Sequence, residues 1–101
     1  MVEDIVGCKW SLTVLGLVRR GVNRPGAMEQ AVRGLSAKVL NERLRKLLRF
    51  DILEKRSYPE TPPRVEYRLT EFGRQFASVL DSIEELEKEL QQRAGARAQS
   101  G

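Results

Sequence analysis

Residues 36–49 read SAKVLNERLRKLLR. Leu40, Leu44, Leu47 and Leu48 recur at steps of four, three and one, which draws an apolar stripe along one side of a helix. The same spacing turns Lys38, Asn41, Glu42, Arg45 and Arg49 to the other side. Ser36 stands just before the pattern, where a hydroxyl can accept from an orphan N–H of the first turn. One side packs, and the other presents Lys, Arg and Asn outward. Alone, this is as much an ordinary solvated surface helix as a helix laid in a DNA groove. Its flanks separate the two readings.

Upstream, residues 9–20 read KWSLTVLGLVRR, with Trp10, Val14, Leu17 and Val18 at helical spacing and Leu15 widening the stripe. Arg19 and Arg20 suit the negative end of the helix dipole, and Gly21 suits a left-handed cap. Asn23-Arg24-Pro25-Gly26 is punctuation, with Asn23 as expected N-cap and Pro25 in the first turn. A short helix over residues 25–32 would bury Met28, Ala31 and Val32, and Arg33-Gly34 would end it. Two short helices joined through a Gly-containing turn make a helix-turn-helix, in which one helix braces the other across a groove.

Downstream, Asp51 stands where a helix-ending Gly would be commoner; Asp tolerates the left-handed region better than most residues. Residues 52–58 carry strand formers at their ends. Val65, Tyr67 and Leu69 alternate with Glu66 and Arg68, a half-buried strand. Pro59, Pro62 and Pro63 between them cannot pair in a sheet, so they form a stiff tip to a β-hairpin. Thr70 then caps a last helix, with Glu71 in its first turn. Phe72, Phe76, Val79, Ile83, Leu86 and Leu90 recur at steps of four and three, a sustained heptad stripe. That stripe is longer than so small a domain needs for itself. The Phe end is expected on the domain, and the end bearing Val79, Ile83, Leu86 and Leu90 on a second copy related by a two-fold axis. A helix folded back along its own domain is the alternative. The tail from Arg93 is small and polar and is expected to be disordered.

The reading is therefore mainly α with a small β-hairpin wing, an α+β winged helix-turn-helix. It has one domain over residues 1–92, a dimerisation helix over about 70–92, and a disordered tail over 93–101. With 101 residues there is room for one modest core. Net charge is +4, and its distribution is uneven: residues 36–68 hold nine Lys/Arg against five Asp/Glu, whereas residues 69–101 hold four against six. The basic middle is built to approach phosphate. With no His and one Cys, neither an intrachain disulfide nor a structural zinc site is expected, and a reducing cytoplasm fits. No apolar run approaches the ~18–20 residues of a membrane span, and no signal peptide is read. No cofactor is expected. An enzyme is disfavoured by the absence of a phosphate-binding Gly loop, a paired-carboxylate site or a His nucleophile system.

The expected partner is double-stranded DNA, with the helix over 36–49 in the major groove and the wing over 58–65 on the flanking backbone or minor groove. Candidate contacts are Arg24, Ser36, Ala37, Lys38, Asn41, Glu42, Arg45, Arg49, Lys55, Arg56 and Arg64, with Arg43 a further phosphate neutraliser. Asn41 and Arg45 have the chemistry to read adenine and guanine edges. The competing reading is a winged-helix protein–protein module. It is disfavoured because an interaction face should be richer in apolar and aromatic groups.

These residues carry a resemblance. Lys9-Trp10-Ser11-Leu12, the run from Leu35 to Leu40 with Arg43-Leu44 and Leu47, and above all Pro62-Pro63-Arg64-Val65-Glu66-Tyr67-Arg68-Leu69-Thr70-Glu71-Phe72-Gly73 resemble the HxlR family of winged-helix transcriptional regulators, related to MarR. The resemblance covers about two-thirds of the chain. It implies a homodimeric cytoplasmic DNA-binding regulator, more often a repressor, with the terminal helices building the dimer; no effector is implied. The chain departs from the family at a short N-terminal arm, at Arg24-Pro25 and Met28, and at Asp51 in place of Gly. Some family members sense oxidants through a Cys in the arm; Cys8 is elsewhere, where the family tends to have Gly. Cys8 has two readings. It is a redox-sensing thiol activated by Lys9 and a helix N-terminus, or an inert small residue at a helix start.

Overall fold

The computed structural model describes residues 1–100, with side chains described through residue 96. The elements run α1 (Val2–Val6), α2 (Lys9–Arg19), α3 (Pro25–Ala31), α4 (Ala37–Arg49), β1 (Leu53–Tyr58), β2 (Arg64–Leu69) and α5 (Glu71–Ser100). The expected order is observed, with one addition. Five residues are too few to display a helical period, so α1 was not legible; Ile5, fully buried, anchors it, and Lys46 Nζ of α4 donates to the Asp4 carbonyl at 3.4 Å.

Val14, Leu15 and Leu17 of α2, Met28 of α3 and Leu40, Leu44 and Leu47 of α4 are all buried, and with Ile5, Ile52 and Leu53 they form one core. The stripes on α2 and α4 thus meet each other, as their spacing requires. Around α3 two expectations are corrected. The N-cap is Arg24, without a side-chain cap bond, rather than Asn23. The Asn23 carbonyl instead accepts from the Tyr67 N–H at 2.9 Å, so the chain ahead of α3 runs along β2. Ala31 is exposed and Val32 only half-buried, because a helix this short turns a single position, Met28, fully inward.

Helices α2 and α4 end alike. Gly21 lies in the left-handed region at φ 88°, Val22 N–H donates to Leu17 O at 2.9 Å, and Gly21 N–H donates to Val18 O at 3.1 Å. At the end of α4, Asp51 takes the same conformation at φ 58°, with Ile52 N–H on Leu47 O at 3.0 Å and Asp51 N–H on Leu48 O at 3.0 Å. Both are Schellman caps, one on Gly and one on a residue carrying a Cβ. Asp51→Gly is therefore expected to stabilise the chain by about 0.5 kcal/mol, the relief of left-handed strain less the added freedom of the unfolded chain. A raised urea midpoint with unchanged slope would show it.

The hairpin is antiparallel, with Leu53 opposite Leu69, Lys55 opposite Tyr67, Arg56 opposite Glu66 and Tyr58 opposite Arg64. This register sorts the side chains. Leu53, Lys55, Val65, Tyr67 and Leu69 share the face that carries the core contacts, and Arg56, Tyr58, Arg64, Glu66 and Arg68 share the other.

Helix α5 starts on a Thr70 cap, its hydroxyl accepting from the Gly73 N–H at 2.8 Å. Phe76 and Ala77 are buried and Leu80 is half-buried. Phe72, expected on the domain, is 40% exposed; Val79, Leu86 and Leu90 are each more than half exposed. Arg19 of α2 makes a two-pronged bond to Asp81 at 2.9 and 2.7 Å, the last described tie between α5 and the helical body before α5 projects. That bond holds the Asp81 carboxyl below its ordinary range, so it persists at neutral pH and is lost in acid as the carboxylate protonates. The projection accounts for the overall extents of 64 × 28 × 21 Å. Helix α5 runs to Ser100, its Ala residues with Arg and Gln neighbours favouring helix despite Gly95. Arg93 also bonds Glu89 one turn earlier at 2.6 Å. Gly101 lies outside the described residues.

Candidate nucleic-acid interface

Helix α4 is seated by its Leu face and capped by Ser36, whose hydroxyl accepts from the Val39 N–H at 3.2 Å. Ser36 therefore has its oxygen engaged within the helix start, with Ala37 exposed beside it. Lys38, Asn41, Glu42, Arg45 and Arg49 are all exposed and lie at steps of three and four. The geometry brings them together on one face of a rigid element, as the spacing requires. Arg43, by contrast, is half-buried, with its Nε enclosed and unpartnered. Its position, one step from Leu44, places it at the edge of the buried face of α4 rather than among the exposed cations.

The wing divides its basic residues between two faces. Lys55 is exposed on the face shared with Tyr67. Burial raises the Tyr67 phenol above its ordinary range, and the Arg45 guanidinium partly opposes that shift. Arg56 is exposed on the opposite face, across from Glu66.

Arg24 and Arg64 are not free cations. The Glu66 carboxylate lies 3.7 Å from Arg24 Nη2, 3.6 Å from Arg64 Nε and 3.8 Å from Arg68 Nη2. Arg64 also meets Glu60 at 3.3 Å and lies over the Tyr58 ring, 4.1 Å from its centroid. Arg68 Nη2 donates to the Tyr58 hydroxyl at 3.2 Å. A groove of about 680 Å³ runs between this cluster, the start of α3 and the wing tip. Glu66 and Tyr58 are the site residues that sequence reasoning missed. Strand alternation put Glu66 on the face away from Tyr67, but only the Asn23–Tyr67 bond brings Arg24 beside it.

Cys8 occupies the N-cap of α2 and is partly exposed. Ser11, fully buried and with its hydroxyl unpartnered, is the main influence that lowers the thiol below its ordinary range, and the charge of Arg43 of α4 adds a smaller one. Lys9, expected to activate the thiol, instead reaches over the Trp10 ring at 5.7 Å. Cys8 should therefore alkylate faster at neutral pH than a free cysteine, with a rate midpoint at lower pH. Ser11→Ala should shift that midpoint upward, as iodoacetamide labelling across a pH series would record.

A helix-turn-helix followed by a two-stranded wing and a long helix is a winged helix-turn-helix protein. The chain belongs to the HxlR-like helix-turn-helix family, which it matches over residues 5–94. It is 42% identical over 85 residues, 84% of the chain, to an uncharacterised helix-turn-helix-type transcriptional regulator of Synechocystis sp., and spans 63% of that protein's length. A protein of Enterococcus faecalis V583 assigned to the MarR family of transcriptional regulators superposes with a TM-score of 0.84 at 28% identity, over 93% of this chain and 86% of that one. The reduced form of the transcriptional regulator YodB of B. subtilis superposes at 0.74 with 28% identity, over 83% and 82% of the two chains. The family is one of regulators rather than enzymes. No described helix is long and apolar enough to cross a membrane, and among the described residues no cluster of His, Cys, Asp and Glu could hold a metal ion.

Proposed function

We propose that the chain is a sequence-specific DNA-binding transcriptional regulator, acting as a homodimer on a pseudo-palindromic operator. The observation that carries this is the exposed face of α4: Lys38, Asn41, Arg45 and Arg49 side by side on a helix whose other face is locked in the core. A helix of that width enters a major groove, where Asn and Arg can make paired hydrogen bonds to base edges. Lys55 and Arg56 then serve the flanking backbone. The dimer is supported by the exposed apolar residues Phe72, Val79, Ile83, Leu86 and Leu90 on α5, which Val2 and Val6 of α1 extend. A two-fold partner would cover them and set two α4 helices about 34–36 Å apart, one turn of the duplex. Blocking of polymerase, hence repression, is the mode proposed.

Fluorescence anisotropy with a duplex selected by the chain from a random pool, over a salt series, tests the reading. The expected result is a selected inverted repeat, a steep salt slope and a dimeric mass by light scattering; Leu86→Glu should yield a monomer that binds the repeat poorly. A confirmed dimer that enriches no sequence would leave the interaction module. A redox response is a second reading, supported by the partly exposed Cys8 thiol at the N-cap of α2. It requires binding to fall under oxidant, return with thiol, and be indifferent to oxidant in Cys8→Ser.

A further inference from the structure

We propose that Glu66 is a positioning residue for DNA binding: one carboxylate that holds Arg24 of the α3 cap and Arg64 of the wing in a fixed, phosphate-ready arrangement. The inference rests on the DNA-binding reading and deepens it. Glu66 has only 13% of its side chain exposed, in a region where a free carboxylate has no reason to be shielded. Three guanidinium groups from two separate parts of the chain converge on it at 3.6 to 3.8 Å. None of the three contacts is a close hydrogen-bonded pair, and even with Glu60 on Arg64 two carboxylates cannot neutralise three guanidinium groups. The cluster keeps a surplus of positive charge directed at the groove beside the wing tip, while the guanidinium groups give up little freedom when a phosphate arrives. Ordering a long side chain costs affinity at the moment of binding, and a pre-ordered one avoids that cost. The Tyr58 ring under Arg64 and the Tyr58 hydroxyl on Arg68 brace the same arrangement from the strand opposite.

Two effects oppose each other, and their signs make the idea testable. Removing a negative charge beside DNA should by itself tighten binding. Releasing the arginines should weaken it. Glu60 supplies the control: it also meets Arg64, but it is half exposed and touches only that one arginine.

Anisotropy of the full chain on the selected duplex and on a random-sequence duplex of equal length would compare Glu66→Gln with Glu60→Gln. The expected result is roughly fivefold weaker binding of the selected duplex by Glu66→Gln, unchanged or tighter binding of the random duplex, and no loss in Glu60→Gln. Arg24→Gln should cost less in the Glu66→Gln background than alone. Equal or tighter binding of the selected duplex by Glu66→Gln, or parallel behaviour of the two variants, overturns the inference. A wild type that enriches no duplex overturns the DNA-binding reading and this inference together. Should Glu66→Gln not fold, side-chain relaxation in the wild type answers the same question: Nε–H of Arg24 and Arg64 as rigid as the backbone supports the inference, and mobility equal to that of Arg56 overturns it.

Discussion

Gly73→Ala is expected to destabilise the chain by at least about 3 kcal/mol, a large part of what a small domain has. A Cβ at Gly73 would lie 2.0 Å from the Ile52 carbonyl oxygen, 3.0 Å from its carbon and 3.2 Å from Leu69 Cδ2. The obstruction is backbone, so no rotamer change relieves it. The Ile52 carbonyl is itself held in place: it accepts from the Thr70 N–H at 3.1 Å, while the Thr70 hydroxyl donates to Asp51 O at 2.5 Å. Ile52 and Leu53 beside it are buried in the core. Moving the carbonyl aside would unseat them, and moving α5 aside would break the Thr70 clamp. Gly95 on the exposed stretch of α5 is the contrast, since a Cβ there meets nothing within 4 Å. Gly95→Ala should stabilise the chain by up to about 1 kcal/mol through helix propensity alone. Urea unfolding of both variants measures the two signs. A Gly73→Ala midpoint equal to that of the wild type would mean that α5 does not cross Ile52 this closely.

Arg45→Glu should abolish measurable binding to the selected duplex at physiological salt. Arg45 lies in the middle of the exposed face of α4, with Lys38 and Asn41 before it and Arg49 after it. Loss of one such Arg by Ala is worth about 1–3 kcal/mol, or roughly five- to 150-fold, and reversal adds repulsion from the phosphates. The Ala variant also tells what Arg45 touches. A phosphate contact would weaken all sequences alike and lower the salt slope by about one; a guanine contact would relax the preference at one base position. Arg93→Glu, the same change in charge far along α5, should leave binding within about twofold, because an exposed charge several Debye lengths away is screened. The side chain of Arg45 is exposed, so the fold should tolerate both changes. Equal binding by Arg45→Glu and wild type would remove α4 from the interface.

The order of elements, the buried face of α4, the Ser36 cap and the left-handed ends at Gly21 and Asp51 were all legible in the sequence. Each is a local property: a spacing of Leu residues sets which side of a helix is apolar, and a hydroxyl or a Gly sets where a helix can start or stop. Membership of the winged helix-turn-helix class followed from the ordered set of helices, hairpin and last helix, each marked by a spacing or a cap that is local in sequence. What only the tertiary structure decided involves pairs distant in sequence. Period counting could not see α1, whose one buried residue is Ile5. Nor could it place Arg24 beside Glu66, 42 positions later, because a hydrogen bond between Asn23 and β2 brings them together. Arg43 and Arg45 look interchangeable in a list of basic residues, yet one is half-buried with its Nε enclosed and the other is exposed. Charge is written in the sequence, but whether a charge is free to meet a phosphate depends on which groups the fold has already set against it.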